Sequence, residues 1–100
     1  MSGPSPVHTD FEGLEGQRFP VTATDWPAPA QLTLLRVRTW GAPWAEGTRQ
    51  PFTLEFEGPG DPFLPQGIYQ FQHPGLGVLE LFVVPLGPIE GTLRYEIVLA

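Results

Sequence analysis

The segment "FTLEFE", residues 52–57, alternates apolar and polar side chains without a break. One parity holds Phe52, Leu54 and Phe56, and the other holds Thr53, Glu55 and Glu57. Side chains of a β-strand point alternately to opposite faces, whereas a helix brings every third or fourth residue to one face. The segment therefore predicts a strand that buries one face in a core and turns the other toward water.

The same alternation continues on both sides of this segment. It predicts further strands over residues 18–24, 31–39, 68–73, 79–84 and 92–99. Helical signals are limited to one short turn near the N-terminus, where Thr9 or Asp10 precedes Phe11 and Leu14. The pattern thus predicts an all-β chain of about six strands with one short N-terminal helical turn.

One predicted strand does not keep the same alternation of apolar and polar residues along its length. In "QLTLLRVRT", residues 31–39, Leu32 and Leu34 share parity with Arg36 and Arg38, while Leu35 and Val37 do not. A β-bulge near Leu34 and Leu35 would absorb the slip, and so would a strand buried on both faces at that end.

The connections restrict the topology. "PGLG" (74–77) and "GPIEG" (87–91) are short and rich in turn residues, so the last three strands are expected to form an antiparallel meander. Residues 40–51 and 58–66 are long for hairpin loops. Closure hides the strand edges of a small β-domain, so we expect a closed or nearly closed barrel, or a two-sheet sandwich. We expect one domain over residues 9–100, after a flexible tail over residues 1–8.

Composition excludes several classes of function. The chain has 100 residues, a net charge of −6, five arginines and no lysine, so it is not expected to bind nucleic acid. No basic, apolar leader and no apolar run of about 20 residues is present, so we expect a cytoplasmic protein without membrane contact. Cysteine is absent and the only serines are Ser2 and Ser5. With no usual nucleophile and no thiolate, we expect no enzyme, no cofactor and no metal site.

Several short motifs carry a resemblance to a known family. "FTLEFEGP", "LPQGIY", "HPGLG", "LFVVPLG" and a closing "YE" follow one another in this chain. In this order they resemble a small bacterial family of domains of unknown function, marked by LPQGxY and LFxVPxG motifs, over residues 11–100. The family is associated with phage-tail-collar-like proteins, which implies a structural or assembly role and no catalytic residues. The chain departs from the family pattern at its end, where Leu99 and Ala100 replace an aromatic residue followed by Asn.

The stretch "LPQGIYQFQHPGLG", residues 64–77, supplies three candidate binding residues, Gln66, Tyr69 and His73. Each also has a structural interpretation. His73 ends a strand and is expected to bond the following turn, Gln66 precedes Gly67 in a loop, and Tyr69 alternates with a core position. The structural interpretation is the stronger for all three.

Tryptophan supplies the other candidates. Trp26, Trp40 and Trp44 lie beside prolines in or near connecting segments. They either cap the open ends of the barrel or form an aromatic surface for a protein or a sugar, with Trp40 and Trp44 in one loop as the better candidates.

Charged residues at matched spacing predict a cross-strand ladder. Arg36 and Arg38 are expected to face Glu57 and Glu55 respectively across an antiparallel pair. The same pairing argues against a catalytic acid pair at these glutamates.

The sequence therefore favours a non-catalytic structural or protein-binding module, such as an assembly factor or a component of a phage-tail-like particle. The alternative is a small-ligand or carbohydrate-binding module that uses the tryptophan loop. Assembly, with a protein partner or with itself, is expected through that loop and through the edge of the last strand.

Overall fold

The computed structural model describes residues 8–24, 26, 28–40, 51–60 and 63–99. After a 3-10 turn, His8–Asp10, come six strands. They are β1 (Arg18–Thr22), β2 (Ala30–Thr39), β3 (Phe52–Gly58), β4 (Gly67–His73), β5 (Gly77–Ile89) and β6 (Thr92–Leu99). The predicted all-β fold with one short N-terminal turn is confirmed, although His8, assigned to the tail, already belongs to the turn.

The strands close into a barrel in the order β1-β2-β3-β6-β5-β4, and every neighbouring pair is antiparallel. Of the two predicted architectures, the barrel is the one that forms. The meander of β4, β5 and β6 is also confirmed.

Closure restricts one prediction about assembly. Strand β6 pairs with β3 from Leu93 to Leu99 on one side and with β5 from Thr92 to Glu96 on the other. The first part of the last strand is therefore paired on both sides, and the expected edge-mediated assembly stays a prediction for Ile97–Leu99. Closure joins β6 to β3, a strand that is remote in sequence, which a local pattern does not show.

Strand β5 is longer than predicted. It continues through Pro85 and Pro88 to Ile89, so the turn to β6 lies at Glu90 and Gly91 rather than over residues 87–91. The register shifts between Pro85 and Gly87, and such an irregularity accommodates a residue that has no N–H to donate.

The phase slip in β2 is a bulge, as one of the two alternatives predicted. The register with β3 shifts between Leu34 and Arg36. Before the shift Leu32 and Leu34 are buried, and after it Val37 is partly buried while Arg38 is exposed.

The core fills the barrel with one parity from each strand. Phe52, Leu54 and Phe56 of β3 are fully buried, and Tyr95 and Ile97 of β6 pack beside them. Phe11 of the N-terminal segment is also fully buried, and its ring lies 6.0 Å from that of Phe52. The segment that follows the 3-10 turn thereby closes one end of the barrel.

The wall leaves little spare space at Gly58, the next inward position of β3. A Cβ atom at this residue would overlap with the side chain of Leu32. Glycine is therefore the residue that fits at this point. In the part of the chain that the structure describes, no helix has the length and apolar character needed to cross a membrane.

Candidate functional site

The predicted binding residues do not converge on one site. Trp44 lies outside the described residues. Gln66 precedes β4, Tyr69 lies within it and His73 ends it, whereas Trp40 follows β2. Gln66 and Trp40 are exposed and Tyr69 is buried.

His73 is held in place by the turn that follows it, as its structural interpretation expected. Its Nδ1 accepts a hydrogen bond from the backbone N–H of Gly75 at 3.0 Å. The ring proton therefore lies on Nε2, which donates to Oε1 of Gln17 at 2.9 Å. The ring also packs on Phe19, with centroids 5.0 Å apart. Nδ1 thus holds the turn that follows β4, and Nε2 holds β4 to the N-terminal segment.

Tyr69 is similarly engaged. Its hydroxyl donates to the carbonyl of Pro65 at 2.6 Å, and its ring lies 5.5 Å from that of Trp26. Burial, and secondarily the charge interaction with Tyr95, raise the pKa of the Tyr69 phenol above its ordinary value. The phenol is therefore a neutral structural group at physiological pH.

Arg94 is the centre of an ion-pair cluster that the spacing of charges in the sequence did not predict. Its guanidinium lies 3.0 Å from Glu55, 3.8 Å from Glu57 and 3.4 Å from Glu90. The Arg94 side chain is 14% exposed, so its charge is largely withdrawn from solvent. Arg36 adds a second contact to Glu55 at 3.4 Å. Glu55 and Glu57 are thus both engaged by arginine.

The predicted ladder is wrong by two residues. Arg36, not Arg38, lies opposite Glu55, and Arg38 lies opposite Thr53. Register in a hairpin depends on the bulge and on the length of the loop, and neither was fixed by the spacing of the charges.

The outer wall of the barrel carries an exposed apolar row, which we define as Ile68, Phe82 and Val98. Ile68 of β4 lies directly opposite Phe82 of β5. Val84 lies opposite Glu96 at the point where the pairing of β5 with β6 ends, and Phe82 and Val98 lie two residues beyond this pair in their strands. The three side chains are 67%, 47% and 49% exposed respectively. Ile68 and Phe82 are therefore direct neighbours on the wall, and Val98 is exposed on the next strand of the barrel.

The row continues toward Trp40. Val98 lies opposite Thr53 of β3, and the Thr53 hydroxyl accepts a hydrogen bond from the Trp40 indole N–H at 3.1 Å. The Trp40 side chain is 44% exposed. Of the predicted binding residues, Trp40 is the one that adjoins the apolar row.

Two carboxylates flank the apolar row. Glu80 precedes Phe82 by two residues on β5, and Glu96 precedes Val98 by two residues on β6. Because β5 and β6 are antiparallel, these two side chains lie on opposite sides of the row. Neither forms an ion pair within the described residues, and neither β4 nor β5 contains an arginine.

A polar cleft lies beside the row, where β1 leaves β4. Its volume is about 310 Å³. Thr22, Thr24, Gln70 and Glu80 supply its polar groups. Within the described ranges, no three His, Asp or Glu side chains come together in a group that could hold a metal ion.

The relationship to known proteins is found at the level of the family. Residues 6–99 match the family described as "Domain of unknown function (DUF6916)". The chain belongs to the DUF6916 family. The predicted resemblance to a family of domains of unknown function is therefore confirmed, while the motifs and the phage-tail association stay predictions. No curated protein and no solved structure matches this DUF6916 chain.

The sequence contains a signal for the apolar row of this DUF6916 domain. In "LELFVV", residues 79–84, Phe82 and Val84 share the outward parity with Glu80, so both faces of the strand carry apolar side chains. A half-buried strand needs only one apolar face, so the second apolar face is a feature that the core of the domain does not require. The sequence did not predict that Ile68 and Val98 belong to the same surface, because this depends on the register of three strands.

Proposed function

We propose that this DUF6916 domain is a non-catalytic protein-binding module and that its binding surface is the apolar row with its flanking carboxylates. The observation that supports this most strongly is the directly paired Ile68 and Phe82, which are 67% and 47% exposed, together with the exposed Val98 on the next strand. Contiguous exposed apolar side chains with polar neighbours are typical of protein interfaces, whereas scattered ones need no partner.

The architecture suits such a role. Ile68 and Phe82 are displayed on two directly paired strands of a closed barrel, so their side chains have fixed relative positions before a partner arrives. Preorganisation reduces the ordering cost of association, so a small surface binds with less loss of entropy. The phenol of Tyr69, the imidazole of His73 and the guanidinium of Arg94 already serve the fold, which favours display over chemistry.

In its more specific form, the proposal is that the domain is an assembly factor or a component of a phage-tail-like bacterial particle, and that it acts in the cytoplasm. The support for this form is the resemblance carried by the "LPQGIY" and "LFVVPLG" motifs. Phe82 of the apolar row lies inside the second motif.

A capture experiment from native lysate tests the general proposal. The variant Ile68→Ser, Phe82→Ser removes two members of the row, and Val78→Ser, Leu86→Ser is the matched control. Val78 and Leu86 are also exposed, and each lies about 13 Å along β5 from Phe82.

We expect both variants to keep the melting temperature of the wild type within a few degrees, because all four side chains are exposed. The protein captured by the wild type should be lost only in the row variant. Capture of the same protein by all three chains would contradict the proposal.

The polar cleft supports a second candidate function, which is binding of a small polyhydroxylated ligand. Two threonine hydroxyls, an amide and a carboxylate line its 310 Å³ volume, which suits hydrogen bonding to a sugar. A glycan array tests it, with Gln70→Leu as the variant expected to abolish any signal. Retention of a specific glycan signal in that variant would rule out this site.

A further inference from the structure

We propose that an extended segment of a partner protein adds as a strand to the edge of β5 over residues Leu79–Val83. The segment places an apolar side chain opposite Phe82 of the apolar row and a lysine or arginine opposite Glu80. This inference rests on the proposed protein-binding function and specifies the partner as a basic β-strand.

Strand β5 divides its pairing between its two neighbours. Gly77–Val83 pair with β4, and Val84–Ile89 pair with β6. The last pair between β5 and β6 is Val84 with Glu96, and both strands continue past it. Within the described ranges, the first half of β5 therefore has a paired edge toward β4 and an unpaired edge toward β6.

An unpaired strand edge selects its occupant by its backbone. Every second residue of a strand directs its N–H and C=O to the same side, so a free edge presents donors and acceptors at regular intervals. An extended chain satisfies these groups by adding as a further strand. A helix does not, because its own backbone groups are bonded within it. The chemistry of this edge therefore favours a strand.

The two unpaired edges of β5 are not equivalent. Among the described residues, the second half of the strand is unpaired toward β4, but it contains Pro85 and Pro88, which have no N–H to donate. It also contains the register shift next to Gly87. Prolines and irregularities protect a strand edge from addition. Leu79–Val83 contains neither, so this part of β5 is the one that can receive a strand.

The side chains of this part of β5 define the outer face of the added strand. Leu81 and Val83 are buried, whereas Glu80 and Phe82 are exposed on the opposite face. Residues directly opposite each other in antiparallel strands share a face and contact each other. The added strand is therefore expected to carry an apolar residue opposite Phe82 and, two residues further on, a residue that complements Glu80.

The charges beside this edge are acidic. Glu80 lies on β5 and Glu96 at its last pair with β6, and neither forms an ion pair among the described residues. Arg38 is exposed on β2, but β3 and β6 separate it from β5, since Arg38 lies opposite Thr53 and Thr53 opposite Val98. A cation opposite Glu80 is favourable across a strand pair, whereas an acid there is unfavourable.

A second copy of this chain fits the edge less well. Two-fold antiparallel pairing of β5 with itself, centred on Glu80, would place the two Glu80 carboxylates directly opposite each other. Centred on Leu81, the same pairing would place each carboxylate opposite a Phe82 ring. Gly77–Val83 contains no basic residue to offset either arrangement. The edge therefore favours a different partner with a basic strand.

Amide hydrogen exchange followed by NMR on the full chain tests whether this edge is free. In Leu79–Val83, alternate amides face β4 and should exchange slowly, while the amides between them should exchange at least tenfold faster. Protection of every amide in this range would overturn the inference, because a segment of the chain itself would then occupy the edge.

The probe for binding is a seven-residue peptide with isoleucine at position 2 to meet Phe82, lysine at position 4 to meet Glu80, and threonine elsewhere. One control has glutamate in place of the lysine. Two further controls are N-methylated at the odd or at the even positions, so that each keeps its side chains and loses the N–H groups of one edge. Binding is measured by NMR titration and by its effect on hydrogen exchange.

We expect the lysine peptide to slow exchange of the unprotected amides in Leu79–Val83 and to bind at least tenfold more tightly than the glutamate peptide. At least one N-methylated peptide should bind tenfold more weakly than the unmodified one, because it has lost the donors of the pairing edge. Equal binding of all four peptides, or protection confined to another strand, would overturn the inference. Dimerisation of the free chain through β5, seen by sedimentation, would overturn it in favour of a second copy.

Charge reversal sharpens the test. Glu80→Lys should invert the preference, so that the glutamate peptide binds more tightly than the lysine peptide. Glu15→Lys changes the net charge equally but lies in the N-terminal segment, so it should keep the original preference. Inversion in both variants would indicate an effect of net charge alone and would contradict the inference.

This outcome is distinguishable from failure of the proposed function. If capture from lysate depends on Ile68 and Phe82 but the lysine peptide leaves exchange in Leu79–Val83 unchanged, the protein-binding function stands and the added basic strand is refuted.

Discussion

Replacement of Arg94 by methionine tests whether the ion-pair cluster stabilises the barrel. Methionine keeps much of the apolar stem and removes the charge, so the substitution isolates the guanidinium contacts. The substitution leaves Glu55, whose side chain is 18% exposed, with only the longer contact to Arg36. The hydroxyl of Thr92 also loses the N–H of Arg94 at 3.3 Å.

The magnitude follows from the burial of each partner. The contact to Glu90 is with a side chain that is 84% exposed, so its loss costs little. The contact to Glu55 is charge-assisted and mostly shielded, and loss of such a hydrogen bond costs about 1.5–3 kcal/mol. If the pair were fully excluded from solvent, the loss of stability would rise toward about 3–5 kcal/mol. Here Arg36 still offsets part of the charge of Glu55. We therefore expect a loss of about 2 kcal/mol and a fall in the melting temperature of about 10 °C for a domain of this size.

The assay is equilibrium unfolding in urea followed by tryptophan fluorescence and circular dichroism. Arg38→Met is the matched control, because Arg38 is exposed and forms no ion pair within the described residues. It should change stability by less than about 0.5 kcal/mol. Equal stabilities of the two variants would refute the reasoning that Arg94 holds β3 and β6 together.

Two further substitutions test the packing of the barrel wall at Gly58 and the role of the Tyr69 phenol. Gly58→Ala should destabilise the barrel by about 1–3 kcal/mol in urea unfolding, because its Cβ would overlap with Leu32. Gly60→Ala is the control and should cost nothing, because its Cβ would have no neighbour within 4 Å. Equal effects of the two substitutions would contradict the packing argument. Because the pKa of Tyr69 is raised in the folded state, the unfolded phenol ionises first, so stability should fall as the pH rises above about 10 and through the folded pKa. Tyr69→Phe should lose about 1 kcal/mol at pH 7 with the hydrogen bond to Pro65 and show a shallower alkaline decline, and an unchanged decline would contradict the assignment.

The strands were predictable because their signal is local. Alternation in "FTLEFE" identifies Phe52, Leu54 and Phe56 as core residues without any knowledge of neighbours, and all three are fully buried. The bulge at Leu34 was equally visible as a slip of phase.

Contacts between strands remote in sequence were not predictable in the same way. The partners of Arg94 could not be read from the sequence, because closure places β6 beside β3 and brings its guanidinium to Glu55. The apolar row has the same origin, because Ile68 and Phe82 become neighbours only when the register of β4 and β5 is known. A period of two identifies the face of a residue but not the level at which it meets the next strand.

The most direct test of the central claim is site-specific photocrosslinking from position 82. A photoreactive phenylalanine analogue replaces Phe82 in one chain and Gln72 in a second. Gln72 is exposed on β4 but lies away from the apolar row, opposite Val78. On irradiation in native extract, position 82 should give one discrete protein adduct, identified by mass spectrometry, and position 72 should give none. The same adducts from both positions, or none from position 82, would contradict the claim that this row is a protein-binding surface.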